Sequence, residues 1–196
     1  SVTEIKRRFD IQDQTQGQRP FQKKSIFLRP TFIQEKQGLS GAETGVLMHS
    51  ILQHLTLQEN MEEGELTRQL EAMVLKEILL AEQARQIDKA SILAFLASDL
   101  GRRMCRSPKV RRELPFSILL PAERFYPDMK ETGEGIFVQG VIDVLFDEGD
   151  GLVLVDYKTD KVRSGEELAG RYRLQLELYA EPIETIYGRP VPEKYL

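Results

Sequence analysis

At 196 residues, 41% hydrophobic and 30% charged, the chain is long enough for one well-buried core and has the balance of a soluble globular protein. A single cysteine, Cys105, excludes a disulfide framework and points to a reducing, cytoplasmic setting; no signal peptide and no apolar run of membrane-spanning length is visible. The net charge of −4 gives no general attraction to nucleic acid, so any such contact must come from local basic clusters.

The chain opens without methionine on SVTEIKRRF, which reads as a short helical turn, and continues as a polar, Gln-rich loop to about residue 35. Ser40 and Glu43 have capping-box spacing and start a predicted helix running to about Leu57. Leu47, Ile51 and Leu55 form its apolar stripe, while Gly45, His49 and Gln53 share another face. A helical histidine is more often structural than a ligand, and His54 is read as structural; His49 stays open between the two roles.

Residues 64–104 are helical by period. Leu66, Leu70, Met73 and Val74 suit one segment, and Leu93, Leu96, Leu100 and Met104 suit a second that begins at Asp88 as N-cap and ends at Ser107-Pro108. RELPF then leads into SILL as a first strand, where Pro115 marks an edge or a bulge. Glu113 on this strand is either a solvated residue or an acidic neighbour of a metal site. Six basic residues stand in 101–113 against Glu113 alone, whereas 59–88 holds eight acidic residues against three basic. That asymmetry suits a phosphate-facing side, although cations at a helix end also favour its dipole.

A loop at 121–135 rich in Pro, Gly and charge precedes the most informative stretch, GVIDVLFDEGDGLVLVDYKTDK at 140–161. Two apolar strands flank a turn at 147–151. Strand residues two apart share a face, so Asp156 and Lys158 project together, and simple hairpin pairing brings Asp143 close to Asp156. Adjacent carboxylates repel, and a divalent cation is one reason for an apolar strand pair to hold two of them. The plainer alternative is a solvated acidic turn, and Asp147, Glu148 and Asp150 are read that way; D-x-K alone recurs by chance. Downstream, Ser164 and Glu167 have capping-box spacing for a helix to about Tyr187, with Leu168, Tyr172, Leu176, Tyr179 and Ile183 on one face. Tyr172 is read as core. Gly188-Arg189-Pro190 closes this helix, and VPEKYL reads as a further strand.

The residues ETGVLMHSILQHL at 43–55, RRELPF at 111–116, GVID at 140–143, DYKTDK at 156–161 and YRLQLELYA at 172–180 together resemble the RecB-like nucleases of the PD-(D/E)XK superfamily, and within them the AddA-type helicase–nuclease branch. The resemblance covers nearly the whole chain, and the last three motifs in this order are specific. It implies an α/β restriction-endonuclease-like fold: a small mixed sheet flanked by helices, with an N-terminal helical extension (1–87) carrying His49 and an αβββαβ core (88–196) whose last strand is cut short. It implies that His49, Asp143 and Asp156 hold a metal, with the Tyr157 carbonyl as a further ligand. Lys158 is then the catalytic lysine, Glu113 an acidic residue beside the metal, and Gln175 and Tyr179 the helix residues that complete the site. Pro182 departs from the usual pattern, in which this helix runs on.

In function, the resemblance implies a Mg²⁺-dependent deoxyribonuclease domain, with Mn²⁺ able to substitute, acting on single-stranded DNA. A helicase part of the same parent chain would deliver the strand, an AddB-type second subunit would join it, and the bacterial cytoplasm would be its location, in double-strand break repair and recombination. The fragment itself has no G-x-x-x-x-G-K-[ST], so the motor is expected upstream. One cysteine excludes the four-cysteine iron–sulfur cluster of some relatives. Two other readings stay open: a non-catalytic DNA-binding or docking module that kept the fold, and a stand-alone RecB-like exonuclease.

Overall fold

The computed structural model describes residues 39–124, 133–158 and 165–196. These fall into two compact units, a helical one of residues 39–110 with Tyr157 and Lys158, and a sheet-bearing one of residues 111–156 and 165–196. The N-terminal turn and loop, most of the loop at 121–135 and the Ser164–Glu167 capping box lie outside the described residues.

In the helical unit, α1 (Gly41–His54) opens on the expected capping box. The Glu43 N–H donates to Ser40 Oγ at 3.3 Å, and the Ser40 N–H donates to Glu43 Oε2 at 2.9 Å. Leu47, Ile51 and Leu55 are all buried. The helix stops at His54, short of Leu57, because a side chain takes over the backbone there. Gln69 accepts from the Thr56 N–H at 2.7 Å and donates to the Thr56 carbonyl at 3.3 Å.

The stretch predicted as two helices holds four: α2 (Glu63–Leu75), α3 (Ala81–Gln86), α4 (Lys89–Ala97) and α5 (Asp99–Arg106). Asp88 caps α4 as expected, accepting from the Ser91 N–H at 3.2 Å. The continuous helix expected from there to Met104 is broken at Ser98, whose Oγ accepts from the Gly101 N–H at 3.0 Å and so caps α5. Gly101 permits the corner, since a Cβ there would stand 2.1 Å from the Phe95 carbonyl oxygen. Apolar residues keep helical spacing on both sides of the break, which hides it from periodicity. The burial shows the shift: Ile92, Leu96 and Met104 are buried, while Leu93 and Leu100 are only half-buried.

In the sheet unit, four strands lie in the order β1 (Val110–Pro121), β2 (Gly135–Glu148), β3 (Gly151–Val155), β4 (Glu193–Tyr195). β2 and β3 are antiparallel, β3 and β4 parallel, so the sheet is mixed. β1 lies at an edge, which suits the exposed Pro115. Glu113 within it has φ +50°, a left-handed conformation that bends a strand and costs a non-glycine residue on the order of 1–3 kcal/mol. The β2–β3 turn tightens to Gly149 and Asp150, with Gly149 at φ +54°. The helix α6 (Gly165–Tyr187) links β3 to β4 and runs through Pro182. Its buried Leu176, Tyr179 and Ile183 pack with Val138, Ile142 and Leu154 of the strands to form the core. Among the described residues, no helix is long and apolar enough to cross a membrane.

Asp147 is more than a solvated turn residue. Arg111 Nη1 reaches its Oδ1 at 2.5 Å, and Arg189 Nη1 reaches its Oδ2 at 2.6 Å. Arg189 also donates to the carbonyls of Gly149 and Gly151, so it clamps the turn, while the Arg111 guanidinium lies 4.9 Å from the centre of the Tyr187 ring. Burial by itself would push the Asp147 carboxyl up; the hydrogen bonds and charges of Arg111 and Arg189 outweigh it and hold the carboxyl below the usual carboxylate range. A group depressed in the folded state stabilises fully above its unfolded pKa, and loses that contribution as pH falls through the folded one. Wild type should therefore lose stability as pH drops below about 4, and Asp147→Asn should flatten that limb in urea melts taken from pH 6 to pH 3. Arg189→Ala should cost about 1–3 kcal/mol at pH 7.

Candidate active site

Asp143 sits on β2 inside the run Ile142–Phe146, every residue of which is buried; it is itself 7% exposed. Asp156 follows directly after β3 and is 2% exposed. The paired register ends at Val144 opposite Val155, and Asp143 and Asp156 each stand one residue beyond that last pair. The Asp156 N–H donates to the Tyr195 carbonyl at 3.0 Å, which ties the carboxylate-bearing residue to the neighbouring β4. Glu113 joins them from β1: a carboxylate oxygen of Glu113 and one of Asp143 lie within 4.8 Å. Glu113 and Asp143 stand close enough for like charges to repel, and a buried carboxylate such as Asp143 or Asp156 is costly unless it is paired or coordinated.

α6 supplies the polar groups that face these acids. The Gln175 amide nitrogen Nε2 donates to Asp156 Oδ1 at 3.3 Å and to the Tyr179 hydroxyl at 3.0 Å, so one amide spends both N–H groups inside the site. Asp156 Oδ2 is buried as well. Tyr179 is buried, and that burial raises the pKa of its hydroxyl most; the charge of Asp156 and, less strongly, those of Asp143 and Glu113 raise it further, while the Gln175 hydrogen bond opposes them. Tyr179 thus stays protonated at any working pH.

His49, Tyr157 and Lys158 belong to the helical unit, and the chain passes from one unit to the other between Asp156 and Tyr157. There, His49 Nε2 lies 3.1 Å from the Tyr157 carbonyl oxygen, an acceptor, so the Nε2–H tautomer makes this hydrogen bond. The Tyr157 ring is held edge-on to His49 and to Phe95, and its hydroxyl contacts Met104 Sδ at 3.9 Å. Lys158 is half-buried. Carboxylates on the sheet unit, and an imidazole beside a carbonyl on the helical unit, are each ligand types that divalent cations take.

Of the expected site residues, the sheet unit sets a carboxylate of Glu113 near one of Asp143 and, separately, hydrogen-bonds Gln175 to Asp156 and Tyr179; the helical unit pairs His49 with Tyr157. Sequence reasoning missed two residues that shape the site, Phe116 and Gly140. The Phe116 ring meets the Tyr179 ring edge-on at 5.4 Å, and a Cβ on Gly140 would lie 2.7 Å from Phe116 Cε1 and 3.0 Å from Tyr179 Cε1. A glycine inside an otherwise apolar strand pattern was the available signal.

Residues 21–194 match the model of the PD-(D/E)XK nuclease superfamily. Over its full length the chain is 45% identical to the A subunit of the ATP-dependent helicase/nuclease of Pelotomaculum thermopropionicum, covering 16% of that protein. It is 43% identical to the protein of the same name from Desulforamulus reducens, covering 16%, and 38% identical to that of Bacillus licheniformis, covering 17%. The chain therefore spans about a sixth of the length of these curated relatives. With a family match over nearly the whole chain, and a hairpin that aligns two buried aspartates just ahead of a lysine, this chain belongs to the PD-(D/E)XK nuclease superfamily.

Proposed function

We propose that this chain is the metal-dependent deoxyribonuclease part of a helicase–nuclease, hydrolysing phosphodiester bonds in single strands that a helicase delivers. The observation that carries the reading is the pair of buried carboxylates, Asp143 and Asp156, each one residue beyond the last β2–β3 pair, with Lys158 two residues after Asp156. Asp143, Asp156 and His49 would hold the ion, with the Tyr157 carbonyl as a further ligand and Glu113 adding negative charge beside them. When bound, Mg²⁺ or Mn²⁺ supplies Lewis acidity toward a phosphate oxygen and acidifies water. Lys158 places an ammonium where it can orient the attacking water or offset charge that builds on the phosphate. Gln175 fixes the Asp156 carboxylate, and the protonated Tyr179 supports that amide. By the names of its relatives the parent carries a helicase as well; pairing with an AddB-type second subunit, work in double-strand break repair and a cytoplasmic location belong to the same proposal.

The test is cleavage of end-labelled single-stranded DNA by the 196-residue chain with Mg²⁺, against the same reaction in EDTA. Slow, non-processive cleavage that needs the metal and weakens with added salt is expected, because the chain is net negative and holds the strand only through local basic residues. DNA binding without any cleavage, with or without the metal, would instead identify a docking module that kept the fold.

A further inference from the structure

The glycine of GVID and an aromatic side chain on β1 are unexplained by metal binding, yet both bear on the same acidic residue. Three contacts run in series through the sheet unit. The Phe116 ring stands edge-on to Tyr179, 5.4 Å between centres at 76°. The Tyr179 hydroxyl takes one hydrogen bond from Gln175 at 3.0 Å, and the same amide gives its other to Asp156 Oδ1 at 3.3 Å. Gly140 lies beneath the ring pair, where a Cβ would approach Phe116 Cε1 to 2.7 Å, Phe116 Cζ to 2.8 Å and Tyr179 Cε1 to 3.0 Å. Both rings are buried, so neither can swing aside as the end of a flexible surface chain would.

We propose that Phe116 and the absent side chain of Gly140 are positioning residues for Asp156, acting through Tyr179 and Gln175. An aspartate carboxylate rotates over a broad range about its last torsion, so a donor fixed on one oxygen decides where the other points. Gln175 is that donor, and a glutamine amide is itself free to turn unless its second N–H is held. Tyr179 holds it, and the ring pair over Gly140 sets how far Tyr179 reaches. A methyl group at 140 would drive the rings apart, lengthen the Tyr179–Gln175 hydrogen bond beyond useful range and release the Asp156 plane. The glycine serves to leave room for the rings, and its backbone freedom is not involved. This inference rests on the proposed metal site, and concerns residues that touch neither metal nor DNA.

The experiment compares wild type, Gly140→Ala, Phe116→Leu, the double variant and Asp156→Ala, all as the 196-residue chain. Mg²⁺ affinity is measured by calorimetry without DNA, and cleavage kinetics with it. Gly140→Ala should weaken Mg²⁺ binding about tenfold and lower kcat about 10²-fold, while KM for DNA stays near wild type. Phe116→Leu removes the two ring atoms that the new methyl would meet, so the double variant should recover at least about tenfold in kcat over Gly140→Ala alone. Loss of mere core packing would lower the melting temperature of Gly140→Ala and leave its Mg²⁺ affinity at the wild-type value. Wild-type Mg²⁺ affinity in Gly140→Ala, or a double variant worse than either single one, would overturn the inference. If Gly140→Ala does not fold, Phe116→Leu carries the test: weaker Mg²⁺ binding at unchanged KM supports it, and unchanged binding overturns it. Asp156→Ala separates the two levels of argument. If it too binds Mg²⁺ like wild type, the metal site has failed; if it alone loses binding, the site stands and the positioning role falls.

Discussion

Asp143→Ala should abolish cleavage and leave the fold intact or more stable when the protein is metal-free. Both halves follow from one arrangement. Asp143 is buried, and a carboxylate oxygen of Glu113 lies within 4.8 Å of one of its own, so two like charges stand close enough to repel. Removing it relieves that repulsion. With Mg²⁺ present the balance reverses, because a lost ligand forfeits several kcal/mol of charge stabilisation at the reacting phosphate, which is on the order of 10³-fold or more in rate. Melting curves separate the two effects. In EDTA the variant should melt at or above wild type. In Mg²⁺ at about 100 times the dissociation constant, wild type gains about 2.7 kcal/mol and the variant gains little. Asp156→Ala should lose cleavage equally, but it is the less clean variant for stability, since the Gln175 amide loses an acceptor. Wild-type turnover by Asp143→Ala would end the proposed mechanism.

The hairpin that sets this geometry was legible because two local rules agree there. The strands are apolar on both sides of a Gly- and Asp-rich turn, and a turn of that kind fixes the register, here from Glu148 opposite Gly151 to Val144 opposite Val155, which leaves Asp143 and Asp156 each just beyond the last pair. The first helix was equally legible at its start, where a capping box is a local signal, and less so at its end, where Gln69 from another helix decides. The break at Ser98 escaped for a related reason. Periodicity reports which residues are apolar every three to four positions and does not report a change of axis. The Ser98–Gly101 spacing, a cap followed by a residue without a Cβ, carried that information on a smaller scale.

The basic run at 101–113 shows the limit of counting charges. Arg106 forms two hydrogen bonds to the Glu59 carboxylate, at 2.8 and 2.6 Å, and Arg102 reaches Asp99 at 2.6 Å. Arg111 is given to Asp147. At least three of the six cations are thus engaged by acids of their own unit, two of which are distant in sequence, and the run is a weaker phosphate-facing feature than its composition suggests. Phe116 and Gly140 were overlooked for the opposite reason. Neither carries a polar atom on its side chain, so a search for chemistry passes over them, although the space one fills and the other leaves determines where Tyr179 sits.

Lys158→Ala and His49→Ala should fail in different ways, and the difference tests the assignment of roles more sharply than loss of activity alone. Lys158 is proposed to act on the phosphate or the attacking water. Its truncation should lower kcat about 10²–10³-fold, the size of a lost transition-state charge contact, while Mg²⁺ affinity holds or improves, because an ammonium near a cation opposes it. Lys158→Arg should not restore the rate, since a planar fork cannot occupy the place of a compact ammonium. His49 is proposed as a ligand. His49→Ala removes the nitrogen that stands 3.1 Å from the Tyr157 carbonyl, and the remaining donors are all oxygen. Metal binding should weaken, and cleavage should return in part at high Mn²⁺, which binds mixed nitrogen and oxygen sites more tightly than Mg²⁺ and has more affinity to lose. Calorimetry in both metals, beside single-turnover cleavage at saturating metal, reads the two variants on the same scale. A Lys158→Ala protein that no longer binds Mg²⁺, beside a His49→Ala protein that binds it normally and turns over slowly, would show that the lysine and the histidine have been given each other's roles.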